Sequence, residues 1–376
     1  MTAKSLKRVD RLLRDKIEGA REVPGAVLLV RGPEGVIFRE AYGLRQRVPA
    51  ELPMTQETLF DLASLTKPVC ASLLTLIMAQ RGSLDLDQDL EAWFSPVKDP
   101  AKRRITVRQL LSNRSGLPGW RPFYQEYPVD RRPISMDVLS RRVLEEPLEV
   151  PPGKKEIYSD LGFLLLGSIL ERVSGRPLDH LFQEEIARPL GLGRIGYRRV
   201  EGDSGATAGE EEAFAATEDC PWRRRVLAGE VHDENCCLLG GVGGHAGLFS
   251  TASDLDRIVA EIFLGLQNRS GLLAAGPLKT FFQRQDAPSP GTWALGWDTP
   301  SEKGSASGSY YSKNSVGHNG FTGTSLWMDC DRNISVVFLT NRVHPSRENA
   351  AIRALRPRVH DAVFEELLAG NERDSY

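Results

Sequence analysis

The feature that most constrains this chain is the stretch at residues 60–79, FDLASLTKPVCASLLTLIMA. Leu73, Leu74, Ile77 and Met78 recur at i, i+1, i+4 and i+5, the spacing of a helix that must be buried. A buried helix rarely carries an unpaired ammonium, which is costly to desolvate, yet Lys67 stands at its head. Lys67 follows Ser64 by three residues, so on a helix the two side chains share one face. A serine hydroxyl becomes a good nucleophile when a neighbour takes its proton, and a desolvated lysine with a lowered pKa is such a neighbour. The plainer reading is an N-cap serine followed by a solvated first-turn lysine. Ser95 and Lys98 repeat the spacing, but no apolar helix follows them. Context singles out Ser64 and Lys67.

At 376 residues the chain has room for one large domain or two interleaved layers. Its 48 basic and 50 acidic residues leave a charge of −2, which implies neither a nucleic-acid footprint nor a polybasic membrane patch. Near the N-terminus Val9, Leu12, Leu13 and Ile17 form one apolar stripe among charges, an amphipathic helix and not a signal h-region. No run approaches the roughly 18 apolar residues of a membrane span. Cys70, Cys220, Cys236, Cys237 and Cys330 are odd in number and sparse, so no disulfide framework is expected. These features lead to the expectation of a cytoplasmic location, or a periplasmic one if a leader has been removed.

Residues 25–31 and 36–42 read as strands joined by a Gly-Pro-Glu-Gly turn. A long helical block follows, with helices over 105–111, 136–144, 158–173 and 178–187, the third stopped by Gly175. Residues 201–219 shift to Gly, Ala, Thr and a Glu run and read as a loop. The segment 240–247, GGVGGHAG, is too glycine-rich for a regular element, so its backbone should pass close to something. After a helix over 253–265, strands are expected over 292–297, 324–328 and 334–340, and a closing helix over 348–368. Strands at both ends of the chain then form one antiparallel sheet, covered by the terminal helices, with the helical block inserted. This is an α+β arrangement.

Two further pieces carry chemistry. Tyr158-Ser159-Asp160 opens a buried helix just after Pro151-Pro152-Gly153, and a phenol there can act as acid or base if a nearby ammonium lowers its pKa. The plainer reading is a packed tyrosine and an aspartate cap. Residues 317–323, GHNGFTG, lead into a strand with glycines that let the backbone approach a ligand, and His318 adds a group that titrates near neutrality.

With Ser64, Tyr158 and His318 in this order, the chain resembles the serine β-lactamase and penicillin-binding-protein family, closest to class C β-lactamases and their esterase relatives. That family carries S-x-x-K, Y-x-N and K/H-T-G motifs in sequence. The resemblance extends through Leu110-Leu111-Ser112-Asn113-Arg114-Ser115-Gly116-Leu117-Pro118, the glycine-rich segment at 240–250 and the strands at 320–342. It implies a single β-lactamase/transpeptidase-like domain over residues 1–376, with a sheet subdomain at 1–63 plus 290–376, a helical subdomain at 64–289, and the site between them. It further implies Ser64 as acylating nucleophile, Lys67 and Tyr158 sharing proton transfer, and an oxyanion hole from the N–H groups of Ser64 and Phe321. Asp160, His318, Asn319, Gly320 and Phe321 would contact substrate.

Asp160 stands where asparagine is usual, and His318-Asn319-Gly320 where Lys-Thr-Gly is usual. Both departures weaken the grip on the carboxylate that β-lactams and D-Ala-D-Ala peptides carry. The expected activity is cofactor-independent hydrolysis of small esters or amides, carboxylesterase-like. A β-lactamase or D,D-carboxypeptidase is the alternative among enzymes, and a catalytically silent ligand-binding protein the alternative from another class. The expected partner is a small ester, amide or β-lactam, with carboxylate ligands held by protonated His318 and released above pH ~6.5. No metal is expected. His232, Cys236, Cys237 and His245 lie close in sequence, but adjacent cysteines do not match zinc-ligand spacing. Trp120, Phe123, Tyr124 and Tyr127 are candidates for an aromatic pocket wall, Asn341-Arg342 for residues that reach the site, and Arg223-Arg224-Arg225 for a solvated face.

Overall fold

The computed structural model describes residues 6–128, 132–200, 213–286 and 289–373. Strands from the two ends of the chain build one six-stranded antiparallel sheet, in the order Leu52–Pro53, Gly35–Gln46, Gly25–Gly32, Ile334–Thr340, Ser325–Asp329, Val316–Asn319. The register pairs Val27 with Leu339 and Leu29 with Val337 at its centre. Both faces of the central strands are apolar because both are covered. Ala26, Leu28, Val30, Val336 and Phe338 pack under the terminal helices Lys7–Leu13 and Ile352–Arg373. Val27, Leu29, Val337 and Leu339 face the larger core shared with the helical block. On that side the helix Ala252–Leu266 lies against the sheet, pinned by Arg31, whose Nε donates to Asp256 at 2.6 Å.

The helical run Ala63–Gln80 is long and apolar enough to cross a membrane by composition, contrary to the sequence reading, but 83% of it is buried inside the protein. It begins as a tight turn at Ala63–Leu65, widens over Lys67–Ser72 and continues as regular helix over Leu73–Gln80. The helix Asp160–Ser174 crosses it, with ten consecutive buried residues from Leu161 to Leu170. It is capped by Ser159, whose Oγ accepts from the Gly162 N–H at 3.1 Å, so the cap is Ser159 and not Asp160. Gly175 ends it in the left-handed conformation (φ 67°).

Two sequence expectations change. Residues 292–297 form no strand; Trp293 and Asp298 make only isolated bridges, because a turn through Gly296 (φ 82°) breaks the run. Arg223 is not solvated: its side chain is 6% exposed and pairs with Glu230 at 3.0 Å. Most of the loop expected over 201–219 lies outside the described residues, although Phe214 is buried against Phe249.

Candidate active site

A cavity of about 610 Å³ opens between the sheet and the helical block. Ser64, Tyr158, Asp160, His318, Asn319, Gly320 and Phe321 all line it. Lys67 lies just behind, fully buried.

Ser64 is presented by a strained turn. Ala63 before it holds φ 46°, a left-handed conformation that alanine rarely adopts. The turn is tied by Asp61, a buried carboxylate the sequence reading missed. Asp61 Oδ1 accepts the Ala63 N–H at 2.8 Å, and Oδ2 accepts the His232 N–H at 2.6 Å. The hydroxyls of Thr322 and Thr324 donate to the carbonyls of Asp61 (2.7 Å) and Leu62 (3.1 Å). Gly320 lets this loop close on the Ser64 turn, since a Cβ there would lie 2.6 Å from the Leu62 carbonyl. Asp61 thus fixes the backbone of Ser64 relative to the segment that carries Phe321. Asp61→Asn replaces one acceptor by a donor that must face an N–H. It should lower kcat roughly 10–100-fold while leaving KM for a small ester within about twofold, as steady-state kinetics would read; an equal change in KM would contradict this positioning role.

Lys67 Nζ donates to Ser64 Oγ at 2.9 Å and to the His245 carbonyl at 3.2 Å, and pairs with Asp160 Oδ1 at 2.6 Å. Burial pulls the ammonium down, but Asp160 and Tyr158 outweigh burial and raise its pKa to about 12. The expectation of a lysine lowered toward neutrality is therefore overturned, because the carboxylate that replaces the usual amide pairs with it. Asp160 lines the pocket while its Oδ1 is held by Lys67.

Tyr158 packs its ring 4.9 Å from Lys67 Nζ. Burial pushes its pKa up; the Lys67 charge and hydrogen bonds to Lys67 and Ser64 oppose this, and Asp160 adds to the rise. The net direction is upward, opposite to expectation. The loop around Asn113 positions the residue: the Asn113 carbonyl accepts from Ile157 N–H at 2.7 Å and its side-chain oxygen from Ser159 N–H at 3.1 Å.

His318 is 2% exposed, its ring centroid 5.9 Å from Tyr158 and 5.2 Å from Trp293. Burial, helped by the Lys67 charge, lowers its pKa to about 3 against the pull of the Asn319 carbonyl. It is not the near-neutral cation expected from the sequence. Nδ1 lies 2.9 Å from the Asn319 carbonyl and so carries the proton, leaving Nε2, which has no partner, as a hydrogen-bond acceptor. Carboxylate binding that fades above pH ~6.5 has no physical basis here. Asn319 also differs: it lines the pocket, but its side-chain oxygen accepts from Trp327 Nε1 at 3.2 Å. Register places it beside Ser325 on the opposite face of the strand from His318.

The neutral burial of His318, and of His360, whose pKa burial also lowers to about 3, couples stability to acid. Between pH 6.5 and 3 the unfolded chain binds protons that the folded chain refuses, so this stability is complete above pH ~6.5 and is lost as pH falls. By pH 5 each histidine should cost of order 1–2 kcal/mol, a loss that urea titrations at pH 7.5 and 5 would detect.

The far wall holds groups that long-range folding alone brings in. His245 Nε2 lies 2.9 Å from Asp233 Oδ1; burial would raise Asp233, but His245 and the Cys236 N–H hold it well below the usual carboxylate range. His232 stacks on Phe321 at 5.6 Å and contacts Glu218 at 3.2 Å. Arg347 clamps Glu218 and, at 2.6 Å, Glu234. The glycine-rich segment passes close to the helix Asp160–Ser174, where a Cβ on Gly244 would lie 2.3 Å from the Phe163 carbonyl. Among the described residues no His, Cys, Asp and Glu cluster is arranged to hold a metal. Arg342 reaches the site indirectly, its Nε donating to the Phe321 carbonyl at 2.8 Å, whereas Asn341 bonds to Gly25, Leu44 and Arg45. Trp120 lines the pocket; Phe123 is in the core.

Comparison with known proteins agrees with this arrangement. The Beta-lactamase family model matches residues 9–359. An N-acetylmuramyl-L-alanine amidase of Bacillus subtilis (strain 168) is 32% identical, covering 91% of this chain and 82% of the relative. An Escherichia coli (strain K12) protein with the provisional name D-alanyl-D-alanine carboxypeptidase is 30% identical, over 90% of this chain and 82% of its own length. The solved structure of EstCE1, a hydrolase with promiscuous acyltransferase activity, superposes with a TM-score of 0.73 at 24% identity, covering 94% of this chain and 99% of that one. With the family model matched over nearly the whole chain and a relative 32% identical over 91% of it, this chain belongs to the β-lactamase family of serine hydrolases.

Proposed function

We propose that this chain hydrolyses small amides and esters whose scissile bond has no carboxylate beside it, through an acyl intermediate on Ser64. The observation that carries this reading is the charge balance of the cavity. Asp160, Asp233, Glu234 and Asp298 line it. Of the basic groups near them, Lys67 is paired with Asp160, Arg347 with Glu218 and Glu234, His245 faces Asp233 and His232 faces Glu218, while His318 is neutral. A substrate carboxylate next to the reacting carbonyl would be desolvated without a partner, which is costly. A neutral group meets no such penalty.

In this reading Ser64 attacks the carbonyl, and the N–H groups of Ser64 and Phe321 hold the oxyanion, each such donor worth roughly 3 kcal/mol of transition-state stabilisation. Lys67, charged and donating to Ser64 Oγ, cannot also accept its proton. The Tyr158 oxygen, in its phenolate form and steadied by the Lys67 charge, accepts it and returns it to the leaving group; water, deprotonated by the same oxygen, then takes the acyl group off Ser64. The amidase name of the Bacillus subtilis relative supports an amide substrate with a sugar-bearing acyl half.

The test compares N-acetylmuramyl-L-alaninamide with the free acid, alongside p-nitrophenyl butyrate and nitrocefin. The carboxamide and the ester should turn over at least tenfold faster, by kcat/KM, than their carboxylate-bearing counterparts. Preference for the free acid or rapid nitrocefin hydrolysis would contradict the reading. Because Lys67 and Tyr158 both sit high, kcat/KM should still rise with pH above ~8. Asp160→Asn removes a carboxylate that raises both groups, so the rise should move to lower pH; a pH–rate profile checks the direction.

A further inference from the structure

A second cavity, of about 490 Å³, adjoins the first. Glu234 and Arg347 belong to both linings, so the two spaces meet at that ion pair. Aromatic side chains run the same way. Trp120, 41% exposed, lines the Ser64 pocket; its ring lies 6.5 Å from Tyr124. Tyr124 in turn meets Trp222 edge-on at 4.8 Å, and both line the second cavity.

The strip is held in place from behind. The Tyr124 N–H donates to Asn235 Oδ1 at 3.1 Å, and Asn235 Nδ2 donates to the Arg121 carbonyl at 2.8 Å, which ties the loop to the helix Glu234–Leu238. The Arg132 and Arg223 guanidinium groups lie 4.7 and 5.0 Å from the Trp222 ring. Beside the strip stand carboxylates. Glu218 has both oxygens taken by Arg347, whereas Glu234 uses one, and Asp219 and Glu348 add two more acceptors to the wall. Arg347, the one cation among the described residues of this lining, gives its Nε and Nη2 to those pairs. An anionic ligand meets a wall in which Glu218, Asp219, Glu234 and Glu348 outnumber Arg347. A ring with C–H faces and many hydroxyl donors finds aromatic surface for the first and carboxylate acceptors for the second.

We propose that the second cavity is a saccharide subsite continuous with the Ser64 pocket, so that the substrates are glycan-linked amides or esters that reach from Ser64 past Arg347 to Trp222. This rests on the acyl-serine reading above and adds to it where the sugar sits. A p-nitrophenyl ester of a short acyl chain occupies only the first cavity, which separates the two claims experimentally.

The experiment measures steady-state kinetics of Trp222→Ala on N-acetylmuramyl-L-alaninamide and on p-nitrophenyl butyrate, with Asp219→Asn as a surface variant that leaves the aromatic packing untouched. Trp222→Ala should raise KM for the sugar substrate roughly tenfold and leave ester kcat/KM within about twofold; Asp219→Asn should raise the same KM about threefold. Equal losses on both substrates by Trp222→Ala, with no effect of Asp219→Asn, would mean that Trp222 is merely structural and would overturn the subsite. So would an unchanged KM in both variants. Isothermal titration of Ser64→Ala with the uncharged N-acetylmuramyl-L-alaninamide tests the subsite without turnover: binding weakened by Trp222→Ala supports it, and no binding overturns it. Loss of wild-type ester turnover, by contrast, would strike the acyl-serine reading alone.

Discussion

Ser64→Ala should reduce kcat for every substrate by roughly 10⁴-fold or more, with the fold and melting temperature nearly unchanged. The size follows from the arrangement. In the proposed mechanism the hydroxyl is the group that forms the acyl bond, and Lys67 and Tyr158, both in contact with Ser64, serve it and do not replace it. Residual catalysis by the oxyanion hole on bound water sets the floor. The side chain packs no core, because it faces the cavity, so stability is spared. Parallel assays with p-nitrophenyl butyrate and N-acetylmuramyl-L-alaninamide, with a thermal melt on the same preparation, check both halves. Retention of more than about 1% of wild-type activity would place the nucleophile elsewhere.

Lys67→Met should cost roughly 10³-fold in kcat, for a different reason. Methionine fills the buried space but withdraws the charge that steadies Tyr158, so the phenol's pKa climbs further above its ordinary value and its anion becomes scarcer. It also leaves Asp160 beside an apolar side chain with its ion-pair partner gone. Adding Asp160→Asn to Lys67→Met should recover stability by relieving that carboxylate, while activity stays low. The two effects therefore separate in the double variant. Chemical denaturation and kinetics on the single and double variants measure the two readouts independently; equal recovery of both would mean that Lys67 serves folding and not proton transfer.

The helices were legible wherever apolar periodicity and caps coincided. The helix Asp160–Ser174 shows both, with Ser159 before it and Gly175 after it. The antiparallel sheet was legible because its central strands are short apolar runs at the two chain ends, and the Ser64–Lys67 spacing because it is local. The charge states were not. Whether Lys67 sits high or low depends on Asp160, 93 residues away in the chain but 2.6 Å away in space. His318 reads as a titrating loop histidine until the structure buries it between Tyr158 and Trp293. Asp61 had a local signal, an aspartate two residues before a residue that must turn left-handed, but Ala63 is not a residue type that advertises such a turn. The Asp233–His245 and Glu218–Arg347 contacts have no sequence signature, since each joins segments that only the tertiary fold brings together.

A covalent acyl intermediate on Ser64 is tested by intact-mass spectrometry with peptide mapping after reaction with a fluorophosphonate probe. The predicted result is a single adduct on the peptide containing Ser64, formed by the wild type, absent in Ser64→Ala, and blocked in proportion when an ester substrate is present. An adduct on another residue, or ester turnover that continues in protein fully labelled at Ser64, would contradict it.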